Sequence, residues 1–345
     1  MKFLSAGESH GKVMMAILSG FPAGMKIDEV LLKDDIERRR IGAGRSERLE
    51  CEPDSLRIVS GVIDMITTGA PIGFLLENRE VFFDNRVDRN EFPRPGHVDF
   101  AGSVKFNHDH VKTASERSSA RETTLRVAAG SVCKMFLRHF DIEAVSEVVE
   151  IGGIPANNFM PELEKSKAEK SGSCGGAVRV TLSGLPIGLG SNEQWYKRLD
   201  SKIAAAMLSI PSVKGTYIGD TEIHRKRGLE SLDLFVDDKG KRSTNLAGGV
   251  EGGISNGCPI VATLFFKPVP TQPFPVPSVS LKNGTVGETS TGRNDLWCIE
   301  RAAVIAENML CMIVTECFLE KFGSDSLRDI TNSFKVFMKR CCTQK

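Results

Sequence analysis

Three short stretches of this chain set proton-transfer groups beside cations. Residues 7–11, GESHG, hold Glu8, Ser9 and His10 in a turn flanked by glycines. The glycines let backbone approach a ligand, and His10 is the side chain there that exchanges a proton near neutral pH. Residues 94–99, RPGHVD, put Arg94 and His97 on one Pro-Gly turn, an acid beside an anion-binding group. Residues 117–123, RSSARET, crowd Arg117, Arg121 and the hydroxyls of Ser118, Ser119 and Thr123 into seven positions. Ser119 and Glu122 have the spacing of a capping box, and residues 125–140 have the apolar content of a long buried helix. The first turn of such a helix offers free N–H groups and the positive end of its dipole, with Arg117, Arg121 and Ser118 beside it. A well-capped helix carrying surface arginines uses the same letters.

Two further groups repeat this logic. Residues 27–40 read as a helix with Asp28 and Glu29 in its first turn and three arginines at its end. Gly42 stops it, and Arg39 and Arg45 then flank a flexible hinge, placed to close on an anion. GRND at 292–295 sets Arg293 and Asp295 at the entry to a second long buried helix over 299–322, closed by Gly323. The HDH at 108–110 lacks a third ligand at a recognisable spacing, so no metal site is expected.

The elements that must position these residues follow from pattern. Strands are expected at 56–62 and 72–76, joined by TTGAP, and at 144–151, 177–182 and 259–267. Residues 199–210 read as a helix that Pro211 stops, leaving the polar loop SIPSVKG with Lys214. TNLAGGVEGGISNG at 244–257 is either a backbone-lined binding loop or a set of tight turns. It lacks the G-x-G-x-x-G context, and no Walker A occurs, so neither a Rossmann nor a P-loop site is supported. The proline-rich run to Ser280 reads as an extended surface loop, and 332–345 as a basic tail without chemistry. Helices with antiparallel strands make the fold class α+β.

Composition limits the function. The 345 residues are 41% hydrophobic and 26% charged, as in a soluble globular protein with a sizeable core. Lys plus Arg is 45 against 44 for Asp plus Glu, so no bulk field draws nucleic acid or a membrane, and a cationic site must be local. Nine scattered cysteines without a C-x-x-C point to a reducing cytosol rather than to zinc or disulfides. Glu8, His10 and Lys12 interrupt the faint signal-peptide look of the start. The apolar stretch 302–315 is too short to span a bilayer and reads as a core helix.

GESHG, RRRIGAGR, SGVIDMITTGAPI, RPGHVDF, RSSARETTLRVAAG, GLPIGLG, SIPSVKG, TN with GGVEGGISNG, KP and GRND occur in one order from residue 7 to 295. Together they resemble the chorismate synthase family. The resemblance implies one domain over 1–345 with a peripheral tail from about 325. It also implies a β-α-β sandwich of long buried helices layered with antiparallel sheets, assembling as a homotetramer. The implied activity is a carbon–oxygen lyase: anti-1,4-elimination of phosphate from 5-enolpyruvylshikimate 3-phosphate to chorismate, with reduced FMN, in aromatic amino acid biosynthesis. NADPH enters only if the protein reduces its own flavin.

Carried over, His97 would protonate the departing phosphate and His10 would manage the proton on the flavin, work suited to a group of ordinary pKa near ~6.5. Asp295 would help remove the ring hydrogen through the flavin and Ser9. Arg39, Arg45, Arg94, Arg121 and Arg293 would clamp the substrate's anions. FMN would contact Arg117, Ser118, Ser119, Pro211, Ser212, Gly252, Lys267, Pro268, Val269, Pro270, Thr271 and Arg293. The chain departs from the family pattern at Gly172, at Asn294 and Leu296 around Asp295, and in a shortened flavin-covering segment after Gly219. Two other classes fit parts of the pattern: an FMN-dependent NAD(P)H oxidoreductase, and an RNA-binding module using the arginines. The even charge balance and the lack of aromatic stacking motifs count against the second.

Overall fold

The computed structural model describes residues 1–44, 55–78, 91–158, 172–238, 240–289 and 295–343. Two antiparallel sheets enclose a layer of helices. The first comprises β1 (Lys2–Ala6), β2 (Val13–Ser19), β3 (Ser55–Ser60) and β4 (Ile72–Glu77) in the order β1-β2-β4-β3. The second comprises β5 (Glu143–Ile151), β6 (Ile154–Pro155), β7 (Gly176–Ser183), β8 (Val213–Ile218) and β9 (Ile260–Phe266) in the order β8-β9-β7-β5-β6. The helices are α1 (Glu29–Arg38), α2 (Asp99–Phe106), α3 (Val111–Arg117), α4 (Thr123–Arg138), α5 (Leu199–Leu208), α6 (Ile299–Phe322) and α7 (Leu327–Thr343).

Strand periodicity builds the inner faces. In β2, Met14, Ala16 and Leu18 are buried while Met15 and Ile17 are exposed, as alternating side chains require. The helices α4 and α6 fill the space between the sheets. α4 touches β2 and β4 on one side and β5 on the other, and α6 lies against β5 and β7. They cross at Gly130, where a Cβ would come within 2.5 Å of both Cβ and the carbonyl oxygen of Asn308. Only glycine permits that approach. α6 is long and apolar enough to cross a membrane, yet 89% of its most apolar window is buried in the protein, so it is a core helix.

The expected strands are present with ends moved by a residue or two, and both long helices are in place. The structure revises four expectations. Asp28 caps α1, its Oδ1 accepting from the Val30 and Leu31 amides at 2.9 and 3.1 Å, so the helix begins at Glu29 rather than residue 27. A small ribbon, Val62–Ile63 with Ile66–Thr67, separates β3 from β4 before TTGAP is complete. The proline-rich run ends in a hairpin, Pro277–Val279 with Val286–Glu288. The basic tail is the helix α7: Leu327, Ile330, Phe334 and Phe337 recur at helical spacing, and Phe334 lies 5.4 Å from Phe318 and 5.1 Å from Phe140, centroid to centroid. The glycine-rich segment resolves into tight turns, with Gly252 at φ 59° in the turn joining Val250–Glu251 to Ile254–Ser255.

Candidate active site

The loops that join these layers converge on one cleft of about 390 Å³. Its walls come from the turn after β1, the turn before α2, the α3–α4 junction, the loop after α5, the segment after β9 and the first turns of α6.

His10 is held from behind. Gly7, at φ 102°, lets the chain leave β1 so close to β2 that a Cβ would lie 2.8 Å from the Met14 Cα. The turn closes through the Gly11 amide donating to the Glu8 carbonyl at 3.0 Å. Glu116, in the last turn of α3, then accepts from the Ser9 hydroxyl at 2.8 Å and the His10 amide at 2.9 Å through Oε2, and meets His10 Nδ1 through Oε1 at 2.8 Å. Burial pushes the Glu116 carboxyl up, but the hydrogen bonds from His10 and Ser9 outweigh it and hold it below its ordinary value.

His97 is backed in the same way. Gly96, at φ 75°, turns RPGH so that the His97 amide donates to the Arg94 carbonyl at 3.2 Å. Asp99, the first residue of α2, faces His97 Nδ1 at 2.5 Å and accepts from Arg94 Nε at 2.7 Å and Nη2 at 3.0 Å. Arg94 Nη1 donates to Thr271 at 3.1 Å, tying this turn to the segment after β9. Burial raises the Asp99 carboxyl, and the bonds from His97 and Arg94 together with the Arg94 charge more than reverse that, leaving it well below the usual carboxylate range.

Arg39 comes from the end of α1, only 6% exposed, and donates to Thr123 Oγ1 and the Ala120 carbonyl. Asp295 pairs with Arg301 of α6, and both line the cleft. Lys267 donates to the Gly96 carbonyl, and Ser118, Ser119, Pro211, Ser212, Val269, Pro270 and Thr271 also line the cleft with Ser9. Among the described lining residues Arg39, Arg94, Lys267 and Arg301 are cations and Glu116 and Asp295 anions, so the cleft favours a multiply charged anion.

Several expected residues lie elsewhere. Arg117 donates to the Ser5 hydroxyl and carbonyl at 2.7 and 3.0 Å, and Arg121 to Asn78 at 3.1 Å, so neither reaches the cleft wall in this chain. Pro268 is not part of the lining, and Gly252 sits in its hairpin turn. Arg45 and Arg293 fall outside the described residues. The capping box does not form: Ser119 caps a single 3-10 turn, Ala120–Glu122, while Glu122 accepts from Ser5 and Arg126 instead. Sequence reasoning passed over Glu116, Asp99, Thr123 as the partner of Arg39, and Arg301. Asp99 is inside the quoted RPGHVD and Arg301 is six residues beyond Asp295, so both were within reach. Among the described residues no three His, Cys, Asp or Glu gather as a metal set.

A sequence model described as chorismate synthase matches residues 1–319. The chorismate synthase of Caldanaerobacter subterraneus subsp. tengcongensis is 37% identical over 98% of both chains. That of Thermotoga maritima is 38% identical over 97% of this chain and 96% of its own. A crystal structure of a chorismate synthase superposes with a TM-score of 0.80 at 31% identity, covering 99% of this chain and 98% of the other. A cleft that sets two carboxylate-backed histidines among arginines, in a fold and sequence shared over nearly the whole chain, leads to one assignment: the chain belongs to the chorismate synthase family.

Proposed function

We propose that this chain eliminates phosphate from 5-enolpyruvylshikimate 3-phosphate to give chorismate. The C–O bond to phosphate breaks, a ring hydrogen leaves, and a second ring double bond forms. The observation that carries the reading is the meeting of His10 and His97, each backed by a carboxylate, with Arg39, Arg94, Lys267 and Arg301 in one cleft.

In that reading Arg39 and Arg94 hold the substrate's anionic groups, joined by Arg45 and Arg293. Arg94 is already oriented by Asp99 and Thr271, so little ordering remains to be done on binding. His97 gives a proton to the leaving phosphate, its Nδ1 committed to Asp99. Asp295, held by Arg301, helps remove the ring hydrogen together with Ser9, both on the cleft lining.

The lining also fits a reduced flavin mononucleotide. Ile210, Pro211, Val269, Pro270 and Ala302 give an apolar wall for a flat ring system, and Ser119, Ser212 and Lys267 give donors for its phosphate, beside Ser118, whose hydroxyl donates to the Ala114 carbonyl at 2.8 Å. When bound, the reduced flavin supplies the electron density that lets an unactivated C–H bond break. We read the protein as a cytosolic enzyme that works as a homotetramer.

The test mixes the purified chain anaerobically with chemically reduced FMN and 5-enolpyruvylshikimate 3-phosphate. Phosphate and chorismate should appear at equal rates. His97→Ala should lower kcat by ~10²-fold or more while KM moves only a few-fold. Equal losses in both would deny His97 the role of acid. NAD(P)H oxidation without substrate, and no chorismate, would favour the flavin oxidoreductase instead.

A further inference from the structure

Glu116 uses its two oxygens for different partners, and the partners are not interchangeable. Oε2 takes the His10 backbone N–H and the Ser9 hydroxyl, at 2.9 and 2.8 Å. A backbone amide can only donate, so this side must remain an acceptor. Oε1 faces His10 Nδ1 at 2.8 Å, and an ionised carboxylate can only accept, so Nδ1 must carry the hydrogen. The neutral ring then bears its lone pair on Nε2. The Glu116 side chain is 17% exposed and its own main-chain oxygen also receives the Ser9 amide at 3.3 Å, so the unit is built as one piece across the β1 turn and α3.

We propose that Glu116 is a positioning residue that fixes the tautomer of His10, so that protons are taken up and given at Nε2, and that turns the Ser9 hydroxyl's hydrogen away from the reacting groups. The catalytic part of this inference rests on His10 exchanging a proton during turnover. The tautomer part does not.

Glu116→Gln separates the possibilities because it keeps the shape and removes one acceptor. The amide oxygen must stay with the His10 N–H and Ser9, since an NH2 there would meet a backbone donor. The NH2 then faces Nδ1 at the 2.8 Å contact, shorter than the 3.2 Å from Nδ1 to the Ser9 oxygen, so Nδ1 becomes the acceptor and the hydrogen moves to Nε2. Nitrogen NMR of the full-length protein labelled at its six histidines should show the His10 signals exchange from the Nδ1–H to the Nε2–H pattern. The expected kinetic result is a fall of ~10²-fold or more in kcat, with KM within about threefold and the melting temperature nearly unchanged. Glu116→Asp, which keeps two acceptors, should restore the Nδ1–H pattern and part of kcat.

An Nδ1–H pattern retained in Glu116→Gln would overturn the proposal. So would a switched tautomer with unaltered kcat. A wild-type protein with the Nδ1–H pattern but no elimination of phosphate would instead overturn the functional reading and support the tautomer assignment.

Discussion

Asp99 and Glu116 do the same work at the two histidines, but Asp99 is the more deeply buried, its side chain 3% exposed against 17%. Its folded-state pKa lies below the ordinary value of ~3.9, because His97 and Arg94 outweigh the cost of burial. A carboxyl depressed by folding contributes stability that is complete above its unfolded pKa and is lost as pH falls through the folded one. Asp99→Asn should therefore cost roughly 2–3 kcal/mol in urea unfolding at neutral pH, the worth of hydrogen bonds to charged groups. The gap to wild type should narrow below about pH 4; a gap independent of pH would mean the carboxylate charge is not what stabilises the turn. This scale also shows what a sequence hides. His10, His97, Arg39 and Asp295 were legible because glycine, proline or a helix end marks each one. Glu116 meets His10 across 106 residues, and no local spacing carries that contact. Arg117 and Arg121 stand off the cleft lining for the opposite reason. Nearness in sequence suggested one shared anion, whereas the 3-10 turn between them sends one to Ser5 and the other to Asn78.

Elements are locked to one another by a buried ionic cluster that no motif announced. Lys134 of α4 bonds Asp35 of α1 at 3.0 Å and Glu307 of α6 at 2.5 Å. Arg38 donates twice to Glu307 at 3.0 Å, and Ser146 of β5 completes the set at 2.6 Å. Burial raises the Glu307 carboxyl, and the bonds and charges of Arg38 and Lys134 reverse this. Adjacent arginines thus part company: Arg38, its side chain 35% exposed, closes the cluster from the surface side, and Arg39 is delivered to the cleft. Lys134→Met would keep the stem's packing and leave two buried carboxylates with Arg38 as their remaining cation. Breaking such a cluster by removing one partner costs about 3–5 kcal/mol. A loss under about 1 kcal/mol in urea denaturation would show that the cluster is not what joins the three helices. From sequence, α6 was legible to both ends because its apolar run stops at a glycine. α7 was missed because its charges were weighed and the helical spacing of Leu327, Ile330, Phe334 and Phe337 was not.

At the scale of the whole molecule, β2 reads VMMAILS, apolar on both faces, which is the pattern of a strand covered on both sides. Its inner face meets α4, but its outer face has no cover among the described residues: Met15 and Ile17 are 47% and 44% exposed. Leu4, 68% exposed, stands directly across from Ile17 on β1, and Ala6 across from Met15, so the outer apolar residues are continuous. Contiguous apolar surface of this kind marks an interaction site. In a proposed homotetramer the simplest cover is the same sheet of another copy, self-complementary about a two-fold axis. Light scattering of the purified chain should then give a mass well above the 37.7 kDa of one chain. Ile17→Lys, which sets a charge in the centre of that face, should shift it to smaller species without changing the circular dichroism. A wild-type chain that runs at 37.7 kDa would remove the assembly. An Ile17→Lys variant that keeps the larger mass would move the interface to another surface, because a lysine caught between two apolar faces loses its water, and the Glu77 carboxylate at the edge of the face is already paired with Arg57.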